Sequence, residues 1–96
     1  ILDKEPDYAA YLMDSQVIPI EDYLEVRPEA RERVTKHIKN DRIMVGPWYT
    51  LPEEFNVSGE SLVRNLLWGV KKSQAYGKVT LTGYSPFSYG QTSQMP

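Results

Sequence analysis

Apolar residues gather in short clusters along the chain, and the spacing inside each cluster predicts an element. Tyr8 to Met13 reads YAAYLM, an aromatic and apolar run bounded by Pro6-Asp7 and Asp14-Ser15, which predicts a short buried strand. PIEDYLEV, residues 19–26, puts Ile20, Tyr23 and Leu24 on neighbouring turns, and PEARERVTKHIKN, residues 28–40, puts Ala30, Val34 and Ile38 at four-residue steps. Both segments predict helices with one buried face. Pro28 suits the first position of the second helix, where its missing N–H has no partner to lose, and Glu29 lies where the helix dipole favours an acid. Asn40 is the expected stop. Ile43, Met44 and Val45 then form a second strand that ends at Gly46-Pro47, because proline cannot continue a ladder.

After PWYTLPEEFNV, which has the composition of a loop, Leu62, Val63, Leu66, Leu67 and Val70 recur at three- and four-residue steps. A third helix is expected there, capped by Ser58, with Glu60 in its first turn and Lys71 and Lys72 near its end. It stops near Gly77, and KVTLTGY, residues 78–84, reads as a third strand. The order strand, helix, strand, helix, strand, with long crossovers, predicts an α/β fold with parallel pairing and right-handed connections.

Composition narrows the function classes. The chain has 96 residues, 41% hydrophobic and 25% charged, a usage typical of packed soluble domains. A chain of this length buries only about two-thirds of the surface its unfolded form exposes, so residues 1–96 are expected to form a single partial domain. A net charge of −2 supplies no basic field, which argues against nucleic acid and anionic membranes as partners. There is no cysteine, hence no disulfide framework or thiolate metal site, and a cytoplasmic location is the default expectation. No apolar run approaches the roughly 20 residues that span a bilayer.

In parallel α/β sheets ligands bind beyond the carboxyl ends of the strands, where the trailing loops converge. That rule puts Asp14, Gln16, Trp48, Tyr49, Glu53, Glu54, Tyr89 and Gln91 on one rim. Trp48 and Tyr49 could stack on the C–H face of a sugar, or be packing aromatics at a strand end. Glu53 and Glu54 could supply an acid, a base or a hydroxyl acceptor, with one of the two facing inward, or form an exposed charged turn. Asp14 follows a strand directly and could serve the same chemistry or hydrogen-bond nearby loop amides. His37, four residues before Asp41, has the offset of a metal pair but lacks a second histidine, and reads better as a cation near a helix C-terminus.

Three blocks, EDYLEVRPEARERV, GPWYTLPEEFNVSGESLVRNLLWG and GYSPFSYGQTSQMP, resemble glycoside hydrolase family 38 in order and spacing over nearly the whole chain. They are most similar to its bacterial α-mannosidases, including mannosylglycerate hydrolases. The resemblance implies a βαβαβ piece of the family's N-terminal α/β barrel. It further implies a retaining, zinc-dependent α-mannosidase in which an Asp both attacks the anomeric carbon and binds zinc. Retention requires two carboxyl groups about 5 Å apart.

The family pattern Gly-Tyr-x-Pro-Asp-x-Phe-Gly-His, laid on Gly83 to Gln91, puts Phe87 at the nucleophile position and Gln91 at the histidine. Phenylalanine can neither attack a sugar nor ligate a metal. The family's first zinc ligands, a His-x-Asp pair, would precede Ile1, and another histidine would follow Pro96, so no metal is expected in this chain by itself. Gly46, Trp48, Glu54, Ser58, Arg64, Asn65, Gly83 and Gly90 are the family features retained. The expectation is a fragment of an α-mannosidase-like hydrolase, inactive alone, or else a carbohydrate-binding or structural module that has dropped catalysis. Open strand edges are expected to favour self-association.

Overall fold

A computed structural model describes residues 1–86 and 89–95. Strand β1 (Tyr11–Leu12) pairs in parallel with β2 (Ile43–Met44), Tyr11 opposite Ile43 and Leu12 opposite Met44. Between them lie α1 (Ile18–Val26), a 3₁₀ turn over Pro28–Ala30 and α2 (Arg31–Lys39); α3 (Gly59–Gln74) follows β2. The parallel pair with helical crossovers is the α/β arrangement read from the sequence.

The four-residue periodicity places the core correctly. Ile20 and Leu24 of α1, Ala30, and Val34 and Ile38 of α2 are buried together with Val17, Val45 and Tyr76. Tyr23, on the neighbouring turn of α1, is exposed. Pro28 opens the 3₁₀ turn rather than the α-helix itself, and Asn40 caps α2. Ser58 caps α3 by accepting the Ser61 N–H at 3.1 Å, an interaction that contributes about 1 kcal/mol.

Three expectations need correction. The first strand is shorter than residues 8–13 and is exposed at both of its positions, because no described helix packs closely over its faces. Residues 78–84 form no strand. They run beside β2 with Thr80 N–H donating to the Val45 carbonyl at 2.9 Å, but the next residues of that neighbour are Gly46 and Pro47, and proline has no N–H with which to extend the ladder. The apolar stripe of α3 forms its buried face only in part: Leu62, Leu66 and Val70 are half-buried and Val63 and Leu67 exposed, whereas Gly69 and Ser73 are buried. A Cβ at Gly69 would collide with the Pro47 carbonyl and the backbone of Trp48 and Tyr49, so α3 is seated directly on that backbone and its large residues are turned aside.

Candidate functional site

Loops leave the carboxyl ends of β1, of β2 and of the extended 78–82 segment, and hydrogen bonds fasten the three together. Trp48 N–H donates to the Ser15 carbonyl (3.0 Å), and Val17 and Ile18 N–H donate to the carbonyls of Trp48 and Tyr49 (3.1 Å each). The Gln16 side-chain oxygen accepts the Leu51 N–H at 3.1 Å. Fully buried Ser15 donates its hydroxyl to the Thr82 carbonyl at 3.1 Å. Glu54 Oε2 accepts the Thr92 N–H at 2.9 Å. Buried polar atoms in such loops need partners, and these cross-loop bonds supply them, bringing all three stretches to one end of the sheet.

Within that frame the rim residues separate. Asp14 is exposed, with φ +48°, and has no hydrogen-bond partner among the described residues. Gln16 is half-buried and spent on Leu51. Trp48 is buried, its ring against Gly83 on one side of a groove of about 690 Å³ that Leu62, Leu66, Leu81 and Met95 also border. Tyr49 points the other way: its hydroxyl donates to Glu21 Oε2 at 2.9 Å, and its ring meets Trp68 edge-on, with centroids 6.5 Å apart. The two adjacent aromatics therefore do not form one stacking platform.

The acidic pair splits as well. Glu54 is 3% exposed, so it is no solvated turn, and its Oε1 has no hydrogen-bond partner among the described residues. Glu53 is half-buried, with Oε1 likewise unpartnered, and it borders a cavity of about 100 Å³ with Leu51, Pro52, Ser85 and Pro86. Tyr89 and Gln91 are exposed. Phe87 lies outside the described residues.

On the flank, Glu21 Oε1 pairs with Lys72 Nζ at 2.9 Å while Oε2 holds the Tyr49 hydroxyl. The carboxylate raises both groups: the hydrogen bond to Glu21 holds the Tyr49 phenol above its usual range, with burial adding to it, and the same carboxylate raises Lys72. Sequence reading missed Glu21 and Thr92, and had Asn65 only as a retained family feature without a role. Asn65 accepts the N–H groups of Tyr49 (2.8 Å) and Thr50 (3.1 Å) and donates to the Thr50 carbonyl (2.7 Å). An asparagine spent inside a helix was the physical signal of that role, since such side chains compete with the backbone there.

The described residues do not compose a zinc site. No three of His, Cys, Asp and Glu converge among them, while structural and catalytic zinc take three or four protein donors. His37 turns to Asp3 (2.7 Å) and Asp41 to Lys78 (2.5 Å), so the helical His37–Asp41 offset gathers no ligand pair.

Comparison with known proteins locates this arrangement. The sequence profile of the glycosyl hydrolases family 38 N-terminal domain matches residues 1–96. A protein of Halalkalibacterium halodurans, named provisionally a mannosylglycerate hydrolase, is 42% identical over 93 residues, covering 96% of this chain and 10% of its own length. The crystal structure of an α-mannosidase from Enterococcus faecalis V583 superposes with a TM-score of 0.87 at 38% identity, over 91% of this chain and 10% of that one. A glycosyl hydrolase family 38 protein from Enterococcus faecalis superposes with a TM-score of 0.86, again at 38% identity and over the same shares of the two chains. The chain thus spans about a tenth of the length of these relatives. With the profile matched from the first residue to the last and both solved structures sharing the parallel-stranded fold, the chain belongs to glycoside hydrolase family 38, as a stretch of its N-terminal domain.

Proposed function

We propose that these 96 residues are one part of a single barrel-type domain in an α-mannosidase-like hydrolase that acts on α-mannosides in the cytoplasm, in carbohydrate metabolism. The observation that carries this reading is the fastening of three strand-end loops to one another by the Gln16, Ser15 and Glu54 side chains, in a chain that belongs to family 38. In that role the piece supplies a wall of the sugar pocket. Asp14, Gln16 and Glu53 offer polar groups to mannoside hydroxyls, while Trp48, Tyr49 and Glu54 shape and support the wall.

The double displacement of a retaining mannosidase needs a carboxylate to attack the anomeric carbon and an acid to protonate the leaving oxygen. With Phe87 at the family's nucleophile position, this stretch supplies no attacking group, so isolated it is inactive. Zinc, where the full protein uses it, needs ligands beyond those the described residues bring together. The net charge of −2 supports neither nucleic acid nor an anionic membrane surface as a partner, and no described helix is long and apolar enough to cross a membrane.

Phe87 also favours a second reading, a carbohydrate-binding or structural module without catalysis. Aryl α-mannoside turnover by the full-length protein, with and without added zinc, separates the two. Turnover supports the hydrolase. Mannoside binding without turnover, together with turnover gained in Phe87→Asp, assigns the binding role and locates the loss at that position.

A further inference from the structure

Four contacts tie the 83–92 loop, which carries position 87, to the single segment 48–55. At its start, a Cβ on Gly83 would lie 3.5 Å from Trp48 Nε1, so the chain rests on the indole. Ser85 and Pro86 close the small cavity over Leu51, Pro52 and Glu53. A Cβ on Gly90 would run into the Phe55 ring, which seats the far side of the loop. At its end Thr92 donates its N–H to Glu54 Oε2 at 2.9 Å.

Glu54 stands out among these anchors. A carboxylate is rarely buried unless it is paired, yet Glu54 is 3% exposed and no cation pairs with it among the described residues. The Thr92 amide is the partner its carboxylate has there, from 38 residues further along the chain. A hydrogen bond in a site closed to water is strong and directional, and the loop end is what it holds.

We infer that Glu54 is a positioning residue: its buried carboxylate, aided by the Phe55 seat, clamps the described residues of the 83–92 loop, 83–86 and 89–92, against the 48–55 segment beside the proposed sugar pocket. The consequence for turnover rests on the hydrolase reading above; the clamp itself does not.

The test is amide hydrogen exchange of the full-length protein, read on peptides spanning residues 83–95 and, as a reference, on those of α2. Losing this buried hydrogen bond is expected to speed exchange of the loop peptides by about tenfold in Glu54→Ala. α2 should be unaffected. Glu54→Gln, which keeps an acceptor oxygen, should behave nearly as wild type. Phe55→Ala, at a largely exposed position and so without risk to folding, should loosen the same peptides and keeps the inference testable if Glu54→Ala does not fold.

Unchanged loop exchange in Glu54→Ala and Phe55→Ala, or acceleration spread evenly over the chain, would overturn the clamp. Where the wild type hydrolyses mannoside, Glu54→Ala should lower kcat about tenfold with KM little changed, since misplacing reacting groups acts on the chemical step. A loosened loop with unaltered kcat would overturn the positioning role. Absence of wild-type turnover would sink the hydrolase reading alone, and the exchange data would still decide the clamp.

Discussion

Gly69 shows how far one residue can set the packing. Alanine exceeds glycine in helix propensity by about 1 kcal/mol, so on propensity alone Gly69→Ala would stabilise α3. The structure predicts the opposite sign. The added Cβ meets backbone of Pro47, Trp48 and Tyr49, which cannot rotate away as a side chain could, and overpacking costs about 1–3 kcal/mol. The urea midpoint of Gly69→Ala should therefore fall at unchanged m-value; a rise would show that α3 does not lie on this backbone. Glycine in the middle of an apolar stripe was visible in the sequence, but the backbone opposite it was not.

Between elements, the N-terminal turns are held to the rest of the chain by polar contacts. Arg42 Nη2 donates to the carbonyls of Glu5 (3.1 Å) and Tyr8 (2.7 Å), and Asp3 meets both His37 (2.7 Å) and Arg33 (3.5 Å) on α2. The hydrogen bond from His37, with the charges of His37 and Arg33 behind it, holds the Asp3 carboxyl below its ordinary value of 3.8. A carboxyl lowered in the folded state contributes stability that is full above its unfolded value and is lost as pH falls through the lowered one. The difference in Tm between wild type and Asp3→Asn is thus expected to be present at about pH 5 and to close as the carboxyl protonates. Because Asp3 is solvent-exposed, high salt should shrink the difference. A gap constant across that range would remove Asp3 as its source.

Taken whole, the chain is more open than a free-standing domain of its mass. It exposes 6742 Å², against about 5,700 Å² for a folded monomer of 11.1 kDa. Its radius of gyration is 14.2 Å, against about 12.5 Å for a compact domain of this length. Val63, Leu67 and Trp68 on α3, together with Leu81, are among the uncovered large apolar side chains. Surface of this kind drives association, and the bare edges of the two-stranded sheet add unpaired backbone. Prepared in isolation, the 96 residues are expected to show a mass that rises with concentration in light scattering. Val63→Lys with Leu67→Lys should lower that mass. A concentration-independent monomer would exclude self-association through these faces.

The sequence by itself determined the helices, the place of the two paired strands and most of the core. Ile20, Leu24, Val34 and Ile38 announce their burial by spacing, Ser58 its cap, and the strand ends their loops, because each of these signals acts within a few residues of chain. It also carried the family, through blocks long enough to be specific, and the substitution at position 87. Tertiary structure alone decided which face α3 presents, that Trp48 and Tyr49 part company, and that Glu54 is buried beneath Thr92. Those outcomes depend on backbone approaching backbone and on a hydrogen bond across 38 residues, and neither leaves a periodic trace in the order of the amino acids.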